Sequence, residues 1–128
     1  MSSVIKFSEA ASIAIHGTVL IAKSDGFMNV DKIAEIMGAS RHHVAKVMQQ
    51  VKKSGYVKSL RGPLGGFKLI RKAEDITLLD LYQSVEGKVF AEQRPPNPIE
   101  DHLYNNVTKK LTDDFIDYMG QSYLADLI

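Results

Sequence analysis

Tyr56-Val57-Lys58-Ser59-Leu60-Arg61-Gly62-Pro63-Leu64-Gly65-Gly66-Phe67-Lys68-Leu69-Ile70 decides the fold. The first five residues alternate like a strand, the Gly- and Pro-rich centre is a turn, and Phe67 to Ile70 resume a strand. The stretch is therefore a β-hairpin, with lysines and an arginine along it and no acid. Its tip lacks the GxxxxGK[ST] order of a phosphate loop and opens a strand rather than a helix.

What precedes the hairpin gives it a context. Ser40 reads as the N-cap of a helix reaching about Ser54, with Val44, Val47, Met48 and Val51 at i, i+3, i+4 and i+7, closed by Gly55. A shorter helix runs from about Val30 to Met37, burying Ile33, Ala34 and Met37. Gly38 ends it, since glycine takes the left-handed conformation after a helix. Two helices separated by Gly38-Ala39-Ser40 make a helix-turn-helix candidate. A well-buried first helix spans Ser8 to about Lys23, closed by Ser24-Asp25-Gly26. Helix, turn, helix and then a basic hairpin is the order of a winged helix. The expected class is mainly α with a small β-hairpin wing (α+β).

Downstream, Thr77-Leu78-Leu79-Asp80 is an acidic variant of a capping box, opening a helix through about Val85 that Gly87 stops. Residues 88–98 contain Arg94-Pro95-Pro96-Asn97-Pro98 and read as a connector. From about Ile99 to Met119 a last helix places Leu103, Val107, Leu111, Phe115 and Met119 at successive i+4 steps. About 20 residues of helix is on the order of 30 Å. A small wing domain has little surface for so long a stripe, so part of it is expected to pack on a second subunit. The expected organisation is a DNA-binding winged helix at 1–87, the connector at 88–98, and a dimerisation helix with a C-terminal tail at 99–128.

Charge is sharply partitioned. Between Arg41 and Lys72 lie nine of the 16 lysines and arginines and none of the 15 acidic residues. They are Arg41, Lys46, Lys52, Lys53, Lys58, Arg61, Lys68, Arg71 and Lys72, with His42 and His43 beside them. A basic block inside a chain of net charge +1 suggests a polyanion at one face.

Other classes are disfavoured. The 128 residues suit one compact domain with an appended element, and no apolar run is long enough to span a membrane. The N-terminus, Met1-Ser2-Ser3-Val4-Ile5-Lys6, lacks the features of a signal peptide, so a cytoplasmic location is expected. There is no cysteine, which excludes disulfides, thiol catalysis and thiolate-held metals or clusters. The histidines His16, His42, His43 and His102 form no metal-ligand motif, and no nucleophile is paired with a base, so an enzyme is not expected.

The chain resembles the Rrf-two family, the bacterial winged-helix regulators that include iron–sulfur and nitric-oxide sensors and a cysteine-metabolism repressor. The resemblance begins at Ile5-Lys6-Phe7-Ser8, continues through Ile33-Ala34 and the turn before Ser40, and is closest from Ser54 to Leu69. It resumes in Ile76-Thr77-Leu78-Leu79-Asp80-Leu81, Val85-Glu86-Gly87 and Tyr123-Leu124-Ala125-Asp126-Leu127. One departure is plain. The sensing members carry three cysteines in the connector, whereas residues 88–105 here have none. No cofactor is expected, and an iron–sulfur cluster held in the family's way is not supported.

The resemblance implies a sequence-specific, DNA-binding transcription regulator, acting as a repressor on an inverted repeat. Ser40, Arg41, His42, His43, Ala45 and Lys46 occupy the first two turns of the third helix, which enters the major groove in such folds. Ser40 also has a capping role, and His43 stands where the family often has an aromatic residue packed against the DNA backbone. Arg61 is at the shoulder of the turn; in similar proteins it enters the minor groove, where narrow grooves attract arginine. Gly62, Gly65 and Gly66 would let the wing approach DNA, with Lys58 and Lys68 on phosphates beside Lys52, Lys53, Arg71 and Lys72. Leu103, Val107, Leu111, Phe115 and Met119 would form the homodimer, setting two recognition helices roughly 34–36 Å apart. The control signal stays open between a small ligand near Tyr82, Phe90, Tyr104 and Tyr118, a protein effector, and none. The competing reading is a protein-interaction module whose basic face docks an acidic partner.

Overall fold

The first four α-helices each begin where a short polar side chain satisfies an otherwise free backbone N–H. The computed structural model describes residues 7–87, 107 and 109–128. The Ser8 hydroxyl accepts from Ala11 N–H at 3.1 Å and opens α1, Glu9–Lys23. Asn29 accepts from Lys32 N–H at 2.7 Å and opens α2, Val30–Met37, which Gly38 ends at φ 65°. Ser40 accepts from His43 N–H at 3.1 Å and opens α3, Arg41–Lys53. The box at Thr77 is complete: Asp80 N–H donates to the Thr77 hydroxyl and Thr77 N–H to the Asp80 carboxylate, both at 3.0 Å. It opens α4, Leu78–Glu86. Each such cap contributes about 1 kcal/mol.

The hairpin consists of β1, Val57–Leu60, and β2, Gly66–Leu69, paired antiparallel with Lys58 opposite Lys68 and Ser59 opposite Phe67. Its bounds differ by a residue from the sequence expectation. Tyr56 lies outside the strand yet accepts Ile70 N–H at 3.1 Å, while Gly66 pairs with Leu60. A third segment joins the sheet edge. Met28 and Phe67 exchange both backbone hydrogen bonds, at 2.9 and 2.8 Å, which docks the wing on the loop between α1 and α2.

The core gathers one face from every element. Ile13 and Ile21 of α1, Ile33 of α2, and Val44, Val47, Met48 and Val51 of α3 are buried together with Val57, Phe67, Ile76 and Leu81. Phe67 is thus an anchor of the wing. Thr18 is the one buried polar residue among those described, and its hydroxyl donates to the Ala14 carbonyl of its own helix.

The C-terminal residues share this core. The described part of the last helix is α5, Lys109–Gly120; Leu103, the expected helix start and the connector at 88–98 lie outside the described residues. Met119 is 4% exposed and Phe115 half-buried against Phe7 and Tyr82, with ring centroids 6.5 and 5.0 Å away. Two members of the expected dimerisation stripe therefore pack on this chain's own domain, whereas Val107 and Leu111 are exposed. A turn of 3₁₀ helix, Leu124–Leu127, follows and buries Leu124 completely. Thr77 and Tyr123 form a bridge, closed by Leu78 N–H to Ser122 O and Leu124 N–H to Ile76 O, both 2.8 Å.

Candidate nucleic-acid interface

The apolar stripe of α3 faces inward, so its remaining positions must face water. Val44, Val47, Met48 and Val51 are buried, while Arg41, His42, Lys46, Gln49, Lys52 and Lys53 are exposed. His43 is intermediate: its Nδ1 lies 3.1 Å from Glu9 Oε1, joining the start of α3 to the first turn of α1. Ser40 is exposed and occupied as the cap. Arg41 points outward at the α2 side, with Nε 2.6 Å from Asp31 Oδ1. Both side chains are 69% exposed, a setting in which an ion pair contributes about 0–1 kcal/mol.

Between α3, the start of α2 and the wing runs a groove of about 480 Å³. Arg41, Gln49 and Lys52 of α3 and Arg61, Gly62 and Pro63 of the wing line it, together with Asn29 and Asp31 at the start of α2. Lys52 Nζ donates to the Ser59 hydroxyl at 2.8 Å, fastening α3 to the wing. Arg61 is exposed at the wing's shoulder, and Leu64 at the tip is 89% exposed.

The glycines divide by cause. Gly62 has φ 110° and open space around it, and its carbonyl accepts Gly65 N–H at 2.9 Å to close the turn. Gly65 and Gly66 are required inside the protein. A Cβ on Gly65 would stand 2.0 Å from Leu60 O, and one on Gly66 2.2 Å from Met28 O. The expectation that these two glycines serve DNA approach thus meets an internal cause, close contact between backbones.

Lys58 and Lys68 are directly opposed across the ladder and exposed. Like charges so placed cost about 0.2–1 kcal/mol, a repulsion that an anion between them relieves. Both ammonium groups also lie 5.9 Å from the centre of the Phe27 ring, whose face attracts cations. Phe27 carries no signal in the sequence, because nothing local says that the loop after α1 runs under the wing. Arg71, another candidate phosphate contact, stacks on Tyr56 at 5.3 Å. Burial, then the Asp80 carboxylate, push the Tyr56 hydroxyl above the ordinary tyrosine range, with Arg71 opposing.

Of the aromatic residues considered for an effector pocket, Tyr82 packs on Phe7 and Phe115, and Tyr118 is 71% exposed. Phe90 and Tyr104 lie outside the described residues. A separate apolar groove of about 480 Å³ lies among His16, Val19, Leu20, Ile36, Met37 and Leu127. No described helix is long and apolar enough to cross a membrane.

A helix-turn-helix followed by a two-stranded wing places this structure among the winged-helix proteins. Residues 7–128 match the family model described as "Rrf2: Iron-dependent Transcriptional regulator", and the chain belongs to that family of transcription regulators. It is 33% identical over 78 residues to a protein of Aquifex aeolicus (strain VF5) provisionally named an HTH-type transcriptional regulator. That alignment spans 60% of this chain and 54% of the relative's length. The fold is similar to that of CymR (YrzC), the global cysteine regulator of B. subtilis, with a TM-score of 0.80 at 23% identity over 97% of this chain and 96% of that one. It is similar also to T. potens IscR, with a TM-score of 0.73 at 24% identity over 97% and 86% of the two chains.

The family's description raises iron. A cluster needs thiolates, at most two of them replaced by imidazoles, and the sequence has no cysteine. Among the described residues no group of three or more His, Asp or Glu side chains is placed to hold a metal ion, and His102 lies outside them. The donor set does not fit a cluster held by protein thiolates.

Proposed function

We propose that this protein is a cytoplasmic, sequence-specific DNA-binding regulator that represses transcription as a homodimer on an inverted-repeat operator, without an iron–sulfur cluster. The observation that carries the reading is convergence on one groove. Arg41 and Lys52 of α3 and Arg61 of the wing border a common channel, and the opposed, exposed Lys58–Lys68 pair adds further positive charge to the hairpin. The first turns of α3 read base edges through Arg41, His42 and Lys46. Arg61 enters the adjacent minor groove. Lys58 and Lys68 neutralise phosphates, which gives affinity without sequence information. The exposed Val107 and Leu111 supply the part of the last helix that meets a second copy.

Hydroxyl-radical footprinting on a fragment bound by the protein tests this reading. Two protected segments about one helical turn apart, roughly 34–36 Å, are expected from a dimer on an inverted repeat. A single protected segment, or protection spread evenly along the duplex, contradicts it.

A further inference from the structure

Asp31 is the one acidic side chain among those lining the groove between α3 and the wing. It is an anomaly on a face whose other charged side chains, Arg41, Lys52 and Arg61, are all cations. A carboxylate there repels phosphates and so weakens binding to any duplex. Stability does not explain it, since an ion pair as open as Asp31–Arg41 contributes little. An acid does suit the first turn of α2. Asn29 already caps that helix, however, through its bond to Lys32 N–H.

What Asp31 does do is hold Arg41. A guanidinium carries five N–H donors in a rigid fork, so a carboxylate at Nε leaves donors for a second acceptor. Left unheld, Arg41 would sample many rotamers and settle on whichever phosphate came near. In contact at 2.6 Å with a residue of the neighbouring helix, it is biased toward one direction as the duplex arrives. Specificity is a difference of affinities, and the same carboxylate acts on both terms. It orders the base-reading donor and penalises contact with phosphate alone.

We propose that Asp31 is a specificity-determining positioning residue, which orients Arg41 toward a base edge and lowers the affinity for unrelated DNA. The inference rests on the DNA-binding reading above. It adds that selectivity is set in part from α2, outside the recognition helix.

The test uses the full chain in fluorescence-anisotropy titrations at fixed salt. One duplex is that selected by the wild-type protein from a random library, and the other is a scrambled duplex of equal length and composition. Asp31→Asn is expected to bind the scrambled duplex more tightly. Its selected-to-scrambled ratio should fall roughly fivefold or more, the low end of one bidentate base contact. In an Arg41→Ala background the same substitution should no longer change the ratio, because the residue acts through Arg41. An unchanged ratio with both affinities raised together overturns the inference and leaves Asp31 as plain charge. An equal fall in the Arg41→Ala background overturns it too. A wild-type protein with no preference for any duplex removes the DNA-binding reading itself, and the inference with it.

Discussion

Lys58 and Lys68 face each other across the hairpin ladder, each with its ammonium group 5.9 Å from the centre of the Phe27 ring. The ring offsets part of their repulsion, and a phosphate would offset more. Lys68→Ala should therefore weaken DNA binding alike for all sequences. The slope of log affinity against log salt should shrink by about 0.9, the share of one neutralised phosphate. Folding stability should stay level or rise by a few tenths of a kcal/mol, because an opposed like-charge pair is removed. Titrations at several salt concentrations, paired with thermal melts, read both effects; an unchanged slope would place Lys68 away from phosphate.

Gly62 and Gly66 should respond very differently to alanine. At Gly66 (φ 137°) a methyl group meets the Met28 carbonyl, so the wing must lift from the α1–α2 loop. Crowding and backbone strain together should cost roughly 2–6 kcal/mol. At Gly62 (φ 110°) the space is open, and only the left-handed backbone opposes the change, at about 1 kcal/mol. Urea unfolding of the two variants orders these costs, and equal losses would contradict the assigned causes.

Much of this was legible in the sequence because its signals are local. The caps at Ser40 and Thr77 and the stops at Gly38 and Gly87 act within a few residues of where they stand. The α3 stripe likewise fixes which side faces water. What escaped depends on partners far along the chain. The Met28–Phe67 and Thr77–Tyr123 bridges, the Glu9–His43 contact and Phe27 beneath two lysines all join separate elements. Periodicity also showed that the last helix has an apolar stripe without saying what it covers. Met119 proves to be core, whereas Leu111 faces outward.

Leu124 shows how far the C-terminal tail belongs to the winged-helix core. It is fully buried, and its N–H donates to Ile76 O at 2.8 Å. Leu124→Ala should destabilise the protein by about 2–5 kcal/mol, the cost of a core cavity. Chemical denaturation checks it. A loss below about 1 kcal/mol, as for a surface change, would mean that the tail packs loosely.

Tyr56 gives a pH dependence of definite sign. Its hydroxyl holds its proton to higher pH in the folded chain, through burial first and Asp80 second. The unfolded chain therefore releases that proton earlier, near the ordinary value of about 10. The contribution to stability is intact below that pH and is lost as pH rises through the folded value. The free energy of unfolding, measured from about pH 8 to about pH 11, should fall more steeply for the wild type than for Tyr56→Phe. Parallel curves would contradict the assignment.

Binding-site selection from genomic DNA fragments, run in parallel with the wild-type protein and Arg61→Ala, tests the central claim most directly. The account predicts enrichment of an inverted-repeat motif by the wild type and its loss in the variant, with both proteins folded. Fragments recovered without a common motif, or the same motif recovered equally well by Arg61→Ala, would contradict a regulator that reads DNA through this wing.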